Sequence, residues 1–545
     1  MAHNQNLSNT PVSKGNTFYI MSLTLVATLG GLLFGYDTAV ISGAVGALKN
    51  VFITPLLDNP EEARPVIIEF KVVGSLCFAI IAALISSFLF KLFGASRGAL
   101  YSIILVAIVA IVVYTQFISL PNELTETMAN SLNGFIISSA LLGCVIGGAM
   151  GGYIADTIGR RKGLIVAAVL FTLSAIGSAM PDTMNIFSVQ LSTSFIFYRV
   201  IGGIGVGLAS MLSPMYIAEI APAGIRGKLV SWNQFAIVFG MLVVYFVNYF
   251  IAAGQTEQWI NEVGWRWMFA SEVIPCILFL TFLFFVPETP RFLVMKDRAP
   301  EAKSILQKLG DPNVEGVLAD IKLSMNTRNA PWLSFGGLVL IIGITLSVFQ
   351  QFVGINVVLY YAPEIFRNMG SSTDSSLLQT IIVGAINLTF TIVAIFSVDK
   401  FGRKPLQIIG ALGMAIGMVW LGLSFHLTDG SPGLGALFAM LMYTGAFALS
   451  WGPVVWVLLS EIFPNSIRGA MSIAVAAQWI ANLIVSWTFP IMNDSTFLTE
   501  KFHHGFSYWV YGFMSLLAAW FMWKVVPETK GKTLEEMQHL WEIKK

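Results

Sequence analysis

Apolar segments long enough to cross a lipid bilayer occupy most of this 545-residue chain. Only 11% of its residues are charged and 56% are hydrophobic, whereas roughly 25% of the residues of soluble domains are charged. Segments of about 18 or more residues with few charges indicate membrane-spanning helices, and about fourteen can be marked off along the chain. The sequence therefore predicts an all-α polytopic membrane protein.

The two halves of the chain repeat one another. The string SPMYIAEIAPAGIRG in the first half returns as a diverged copy, WGPVVWVLLSEIFPNSIRG, in the second. Glu219 and Glu461 are 242 positions apart, as are Arg226 and Arg468. Repeated membrane halves are typical of secondary transporters, in which two similar bundles move about a site held between them. Transport is therefore the first hypothesis.

The apolar segments and the charges predict six successive regions. Basic residues collect in the loops around Arg160, Arg226 and Arg403, which are all cytoplasmic if the N-terminus is cytoplasmic. The regions are a cytoplasmic N-terminus with the first helix (1–50), an inserted transmembrane hairpin (51–119), the rest of the N-terminal bundle (120–290), a cytoplasmic helical linker (291–330), the C-terminal bundle (331–526) and a cytoplasmic tail (527–545).

Several other classes of protein are disfavoured by the sequence. A net charge of +1 argues against nucleic acid as a partner. The three cysteines lie within apolar segments and suggest neither a disulfide framework nor a metal site. No phosphate-binding loop of the form GxxxxGK[ST] is present, which argues against an ATP-driven pump. We expect no cofactor, no metal and no enzymatic activity, and the sequence leaves the oligomeric state open.

Strings distributed over the whole chain resemble the sugar porter family of the major facilitator superfamily. They are GGLLFGYDTAVISG, DTIGRRKG, YRVIGGIGVG, PETPRFL, QQFVGINVVLYYAPEIF, DKFGRK, SWGPVVWVLLSEIFPNSIRG and PETKGKTLEE. Within the family, they are most similar to the bacterial D-xylose/proton symporters. The resemblance implies the major facilitator fold of two six-helix bundles, a sugar site at mid-membrane and alternating access.

One segment departs from the family pattern. Between about residues 51 and 119 the chain carries two additional apolar spans, where the family has only an outer loop after its first helix. The repeat spacing exposes the same insertion, because the counterpart of Gln350 would lie near residue 108 instead of near Phe34. We interpret the insertion as a two-helix hairpin on the lipid-facing side, used for packing or oligomerisation; a role in transport is the alternative.

Asp37 is the first candidate for proton coupling, because an acid late in a membrane span is costly and usually has a partner or a function. The resemblance implies that the aspartate at this position carries the proton and that Arg199 pairs with it. A static ion pair that joins two helices is the alternative. Glu272, in an otherwise apolar helix, is a second candidate, for which a helix-end anchor is the alternative.

A sugar site requires side-chain amides for the hydroxyl groups and aromatic rings for the C–H faces. The resemblance assigns these positions at membrane depth, and for any one amide the alternative is a bond between helices. They are Phe34, Gln234, Gln350, Gln351, Asn356, Tyr360, Asn387, Trp456, Gln478 and Trp479. The resemblance implies a glutamine at position 241 in the xylose symporters, where this chain has Met241, so we assign Met241 to selectivity among sugars.

Charged residues at the inner helix ends are predicted to gate the transporter. Networks that break as the halves separate can bias a conformational equilibrium, and we expect these networks to clamp the outward-facing state. The two sets are Asp156, Arg160, Glu219 and Arg226 in the first half, and Asp399, Arg403, Glu461 and Arg468 in the second.

The sequence thus predicts a proton-coupled symporter in the cell membrane, with both termini cytoplasmic, that imports a monosaccharide, D-xylose first. A hexose/proton symporter for glucose or galactose and a facilitative uniporter are the alternatives, and Asp37 separates the uniporter from the symporters. A non-transporting sugar receptor is a more distant alternative, because such receptors add a long cytoplasmic tail that this chain lacks.

Overall fold

All regular secondary structure in the described residues of the computed structural model is helical. The structure describes residues 16–119, 122–222, 225–326, 333–427, 433–463, 471–531, 536, 537 and 541. The predicted all-α polytopic fold is confirmed.

In the described part of the first half, the chain forms ten helices. They are α1 (Thr17–Phe52), α2 (Thr54–Asp58), α3 (Pro60–Val113), α4 (Glu126–Thr157), α5 (Arg160–Ala179), α6 (Leu191–Ile220), α7 (Arg226–Ala252), α8 (Glu257–Trp259), α9 (Trp265–Ala270) and α10 (Val273–Leu283), and π-helical turns at Tyr114–Ile118 and Ile260–Gly264 extend α3 and join α8 to α9.

Three short helices, α11 (Pro290–Met295), α12 (Ala299–Lys308) and α13 (Val314–Asn326), connect this half to the second. We call the end of the molecule next to α11–α13 the linker end and the opposite end the far end. The second half contains α14 (Gly337–Phe352), α15 (Ile355–Asn368), α16 (Thr373–Phe401), α17 (Arg403–Leu427), α18 (Gly433–Leu449), α19 (Trp451–Ile462), α20 (Met471–Asn493), α21 (Thr496–Phe502) and α22 (Phe506–Lys524).

Twelve helical segments of the described chain are long and apolar enough to cross a membrane. This number counts Pro60–Val113 once, although the chain reverses direction within it, and it leaves out α22, whose tryptophans and tyrosines lower its mean hydropathy. These two differences account for the larger number of about fourteen spans that the apolar segments predict.

Each half is a bundle, and within the described residues the largest contacts between the halves are made by three pairs of helices. In the first half α4 packs on α6, α1 on α7 and α5 on α6; in the second half α17 packs on α22 and α18, and α14 on α20. Between the halves α4 packs on α20, α7 on α16 and α1 on α15. The helices that carry the predicted site residues therefore line the interface between the two bundles.

Glycines allow the helices of the first half to approach closely. A side chain at Gly203 on α6 would collide with the Ala140 carbonyl of α4, and one at Gly143 would collide with the Val200 carbonyl in return. Small residues at helix interfaces in membranes permit such backbone contact. The glycine-rich strings in α4 and α6 thus fix the position of Arg199, one turn before Gly203.

The insertion after the first helix is a helical hairpin. Gly94 has φ 73° and ψ −178°, which breaks α3 into two arms. The arms run antiparallel, because the rings of Phe93 and Tyr101 lie 4.9 Å apart near the turn and those of Phe78 and Phe117 lie 5.8 Å apart towards the far end. In the most apolar 18-residue stretch of this segment only 17% of the residues are buried, against 83% in that of α4. The hairpin therefore lies at the periphery of the molecule.

The first helix extends beyond residue 50, where the sequence predicts that it ends. It continues to Phe52, whose ring packs 5.5 Å from Phe195 and 5.9 Å from Trp265. Phe52 therefore belongs to the core of the first bundle, and the hairpin proper begins at Pro60.

Candidate proton and sugar sites

Asp37 lies on α1 at a point where the helix is in close contact with its neighbours. A side chain at Gly35 would collide with the Ile237 carbonyl on α7, so these two helices approach to backbone distance. Asp37 is completely buried, and Arg199 on α6 is 1% exposed. The fold therefore places an acid and a base together, away from both lipid and water.

The two side chains form an ion pair. Nη1 of Arg199 lies 2.7 Å from Oδ1 of Asp37, and Nη2 donates to the carbonyl oxygen of Asp37 at 3.0 Å. The guanidinium carbon also lies 5.3 Å from the ring centroid of Phe269. Asp37 Oδ2 and Arg199 Nε have no hydrogen-bond partner among the described residues. Removing one partner of such a buried pair leaves an uncompensated charge, at a cost of about 3–5 kcal/mol, so the charge of Asp37 and the position of Arg199 are tied together.

Glu272 lies beside this pair, at the junction of α9 and α10. It is completely buried, and within the described residues neither of its carboxyl oxygens has a hydrogen-bond partner. It interacts electrostatically with Asp37 and, with opposite sign, with Arg199. A helix-end anchor would bond to backbone or solvent, and Glu272 does neither here. The three residues predicted for proton coupling are thus brought together in the first half.

The predicted sugar ligands of the second half begin on α14 and α15. Gln350 donates from Nε2 to the carbonyl oxygens of Trp451 and Gly452 at 2.9 and 3.2 Å, where Ser450 interrupts the helix between α18 and α19. Asn356 donates to the side chain of Gln351 across the turn between the two helices. The side-chain amides of Gln350 and Gln351 therefore both form hydrogen bonds within the protein. Such bonds are what the alternative interpretation, an amide that joins helices instead of binding sugar, requires.

Three polar atoms of the predicted sugar ligands are nevertheless buried without a partner in the described portion of the chain. They are Gln350 Oε1, Gln478 Oε1 and Trp479 Nε1. Buried polar atoms are normally hydrogen-bonded, and those that are not need an explanation such as a missing ligand or water. Two acceptors and one donor are suited to the hydroxyl groups of a sugar.

Aromatic rings from both halves meet at the same depth. The ring of Phe34 on α1 lies 5.6 Å from the nearer ring of Trp479 on α20, with planes inclined at 51°. Tyr360 on α15 is buried as well. Trp479 follows Gln478 directly on α20, and apolar rings together with unpaired amide oxygens are the combination that a pyranose needs.

The other predicted ligands lie on neighbouring helices. Gln234 is on α7, Asn387 on α16 and Trp456 on α19. Asn387 is buried, whereas Gln234 and Trp456 are partly exposed. No hydrogen bond or ring contact joins these three to the other predicted ligands within the described residues, so their assignment stays a prediction.

Met241 is buried on α7, and its backbone adjoins Gly35, the residue after Phe34. Met241 therefore faces the stretch of α1 that carries Phe34, and its assignment to selectivity can be tested by substitution.

Two similar charge clusters lie at the linker end, one in each half. In the first, Arg160 Nη2 lies 2.9 Å from Glu219 Oε1, and the Thr289 hydroxyl donates to Glu219 Oε2 at 2.6 Å. In the second, Arg403 Nη2 lies 2.8 Å from Glu461 Oε1, and the Thr529 hydroxyl donates to Glu461 Oε2 at 2.6 Å.

A further acid completes each cluster. Glu288 accepts hydrogen bonds from the backbone amides of Arg160 and Arg161, at the first turn of α5. Glu528 does the same for Arg403 and Lys404 at the first turn of α17. Burial raises the pKa of Glu288, and the amide hydrogen bonds partly offset that rise. Sequence reasoning used the PET strings only to detect the repeat and the family and missed this role, although their recurrence in both halves was the available signal.

The remaining predicted gating residues are less well placed. Asp156 is 3.7 Å from Arg160 but mostly exposed, and Arg226 is exposed. The side chain of Asp399 and all of Arg468 lie outside the described residues. In the portion of the chain that the structure describes, the bonds of both clusters join helices of one half to the segment that follows that half; none joins the two halves.

Polar contacts do join the two halves at the far end, and the sequence did not point to them. Lys49 of α1 forms an ion pair with Asp494, next to α20, at 2.7 Å. The Thr496 hydroxyl donates to Glu126, the first residue of α4, at 2.8 Å. The far end of the molecule is therefore closed.

The chain matches the family described as "Sugar (and other) transporter" over residues 23–541. It is 53% identical to the D-xylose-proton symporter of Escherichia coli K12, over 97% of this chain and 96% of the relative. It is 42% identical to the glucose facilitated diffusion protein of Zymomonas mobilis, over 98% of this chain and 100% of the relative.

A similarity to a solved structure extends the sequence comparison. The inward-open structure of the xylose transporter XylE from E. coli matches with a TM-score of 0.75 at 52% identity, over 96% of this chain and 100% of that one. The helical arrangement described above is therefore that of a known transporter, in a conformation closed at one end.

Proposed function

Because the chain belongs to the sugar transporter family, we propose that it is a proton-coupled symporter that imports a monosaccharide, with D-xylose as the first candidate. The observation that carries the coupling is the fully buried pair of Asp37 and Arg199 with Glu272 beside it. A purely facilitative transporter needs no ionisable group at this depth, where an acid is costly.

Coupling follows from the geometry of the pair. Arg199 and a proton would compete for the same carboxylate oxygens of Asp37, because the guanidinium already occupies Oδ1. A conformational change that moves Arg199 away from Asp37 would therefore free the carboxylate for a proton. Glu272, which is completely buried and interacts with both Asp37 and Arg199, is the second position at which a proton can reside.

The unpaired atoms of Gln350, Gln478 and Trp479 support a sugar site between the halves. A bound pyranose would supply the missing partners, and the rings of Phe34 and Trp479 would cover its C–H face. Since the amides come from the second half and Phe34 from the first, sugar binding would favour conformations in which the halves close on the site.

The linker end is the cytoplasmic end in this proposal. Basic residues concentrate there, around Arg160 and Arg403, as expected for cytoplasmic loops. Both termini are then cytoplasmic, the protein resides in the cell membrane, and the closed far end faces outwards. The conformation would be inward-facing, in keeping with the match to an inward-open structure. We propose no enzymatic activity.

A facilitative sugar uniporter is the second candidate, because a facilitated diffusion protein is among the relatives. The two are separated by uptake of radiolabelled pentoses and hexoses into proteoliposomes, with and without an inward proton gradient. Accumulation of xylose above its external concentration only when the gradient is present supports symport. Equilibration without accumulation, whatever the gradient, would replace symport by facilitated diffusion, and preference for a hexose would replace xylose.

A further inference from the structure

The inserted hairpin touches both halves of the molecule. The rings of Phe70 and Phe78 on its first arm and of Phe117 on its second lie 6.4, 6.1 and 6.3 Å from the ring of Trp487 on α20. Phe70 also lies 5.7 Å from Phe135 on α4. We call these five residues the aromatic cluster. It covers the line along which α4 of the first half meets α20 of the second.

This line is a tight contact at the cluster. Trp487 donates from Nε1 to the Ser131 carbonyl of α4 at 2.9 Å, and its ring lies 4.7 Å from that of Phe135. A side chain at Gly134 would collide with the carbonyl oxygen of Trp487. Ser131 and Gly134 are in the first turns of α4, near the far end. Trp487 must therefore leave this position when the far end opens.

The hairpin itself belongs to the first half. Glu69 accepts a hydrogen bond from the backbone amide of Gln190, which precedes α6, at 3.0 Å. Lys71 donates to Asn122, in the segment before α4, at 2.7 Å. Both ends of the hairpin also continue directly into the first bundle. When the halves separate, the hairpin would stay with α4 and α6 and lose its ring contacts with Trp487.

We propose that the hairpin is a latch that holds the far end closed through Trp487. Its three ring contacts with Trp487 exist in the closed conformation and are absent from the open one, so they stabilise only one side of the equilibrium. The latch rests on the alternating-access element of the proposed function and goes beyond it. It assigns a conformational role to an insertion whose second arm otherwise faces lipid.

The test compares Phe78→Ala with Phe93→Ala. Phe78 contacts Phe117 and Trp487, whereas the ring contact of Phe93 that the structure describes is with Tyr101 at the hairpin turn. Phe93→Ala therefore removes a ring of the same kind away from Trp487 and serves as the matched control. Spin labels on cysteines introduced at Thr127 and Glu500, both exposed at the far end, report the distance between the halves. The three native cysteines are buried and leave these positions selectively reactive.

Loss of an aromatic contact changes an equilibrium constant by about 2- to 10-fold. In Phe78→Ala, the population with the long label-to-label distance, relative to the population with the short distance, should therefore be higher by that factor than in Phe93→Ala. Phe78→Leu, which keeps apolar volume and hence folding, should shift it in the same direction by less. Measurements in detergent without sugar or gradient suffice. Identical distance distributions in all three variants, in protein that still transports, overturn the latch and leave the proposed function standing. Absence of the long distance under every condition, with sugar and across pH, overturns both.

Discussion

Replacing Asp37 by Asn should separate proton transport from sugar transport. The amide keeps the size of the side chain and an oxygen that can accept from Arg199, now 2.7 Å from Asp37 Oδ1. It cannot exchange a proton. We therefore expect Asp37→Asn to abolish accumulation driven by a proton gradient, while sugar binding and sugar/sugar exchange survive.

The magnitude of the lost accumulation is large. One charge moving through the membrane potential is worth about 2.3 kcal/mol per 100 mV, so a total driving force of about 200 mV supports roughly 10³-fold accumulation at one proton per sugar. The variant should reach only the external concentration. Arg199 keeps its bond to the Asp37 carbonyl at 3.0 Å but loses its counter-charge. A drop in stability of on the order of 3–5 kcal/mol is therefore expected as well, and the thermal midpoint must be measured beside transport.

The assay places two measurements on the same vesicles: accumulation under a pH gradient, and counterflow without one. Asp182→Asn is the matched control, because Asp182 also pairs with an arginine, at 3.0 Å from Arg266, but is largely exposed. The control should accumulate sugar like the unmodified protein. Wild-type accumulation by Asp37→Asn would refute the assignment of Asp37 as the carrier. Glu272→Gln then decides between a second carrier and uniport.

Three further predictions concern selectivity, the insertion and the linker-end clusters. Met241→Gln adds one net hydrogen bond, worth about 0.5–1.5 kcal/mol, so xylose affinity should rise a few-fold to tenfold relative to a hexose in competition binding; an unchanged ratio would show that Met241 does not face the sugar. Deleting residues 60–118 with a short polar bridge, which spares Phe52, should leave sugar binding intact even if expression falls; well-folded deletion protein without binding would contradict the peripheral role of the hairpin. Thr289→Val and Thr529→Val each remove a 2.6 Å hydrogen bond to a buried or half-buried glutamate. Each substitution should lower the free energy of unfolding by about 1.5–3 kcal/mol, to the same extent in the two halves. The control is Thr488→Val, whose hydroxyl donates within its own helix, and it should change thermal unfolding little.

The sequence predicted the features of the fold that depend on local hydrophobicity. Apolar segments of bilayer length fold as helices because no water is available to the backbone in the membrane, so their positions follow from composition alone. That Asp37 has a partner was predictable for a related reason, since an isolated charge at that depth requires one. The identity of the partner, Arg199, followed from the resemblance to the family. The ends of the helices do not follow from local hydrophobicity. Helix α1 continues to Phe52 because the ring of Phe52 packs on Phe195 and Trp265, which are distant in the sequence.

Contacts between distant segments were beyond the sequence. Lys49 and Asp494 belong to different halves and to no repeated string, so nothing in the pattern relates them. Glu288 and Glu528 were visible as a repeat, but their function depends on the first turns of α5 and α17, whose free amides they accept. The aromatic cluster around Trp487 combines residues from an insertion with one from the second half, and only the three-dimensional arrangement reveals it.

The contacts that hold the two halves together at the far end are individually weaker than the buried ion pair of the proposed proton site. The closed far end depends on several contacts of modest strength: an ion pair that is partly exposed, a hydrogen bond from Thr496 and the ring contacts of the hairpin. Each is worth about 1 kcal/mol, so the two conformations can remain close in free energy. The proposed proton site, by contrast, depends on one buried pair whose disruption costs several times as much. If Asp37 is the carrier, the halves can alternate without a proton, and a single substitution at Asp37 converts a symporter into a uniporter. The presence of a symporter and a facilitator among the relatives then requires no difference in fold.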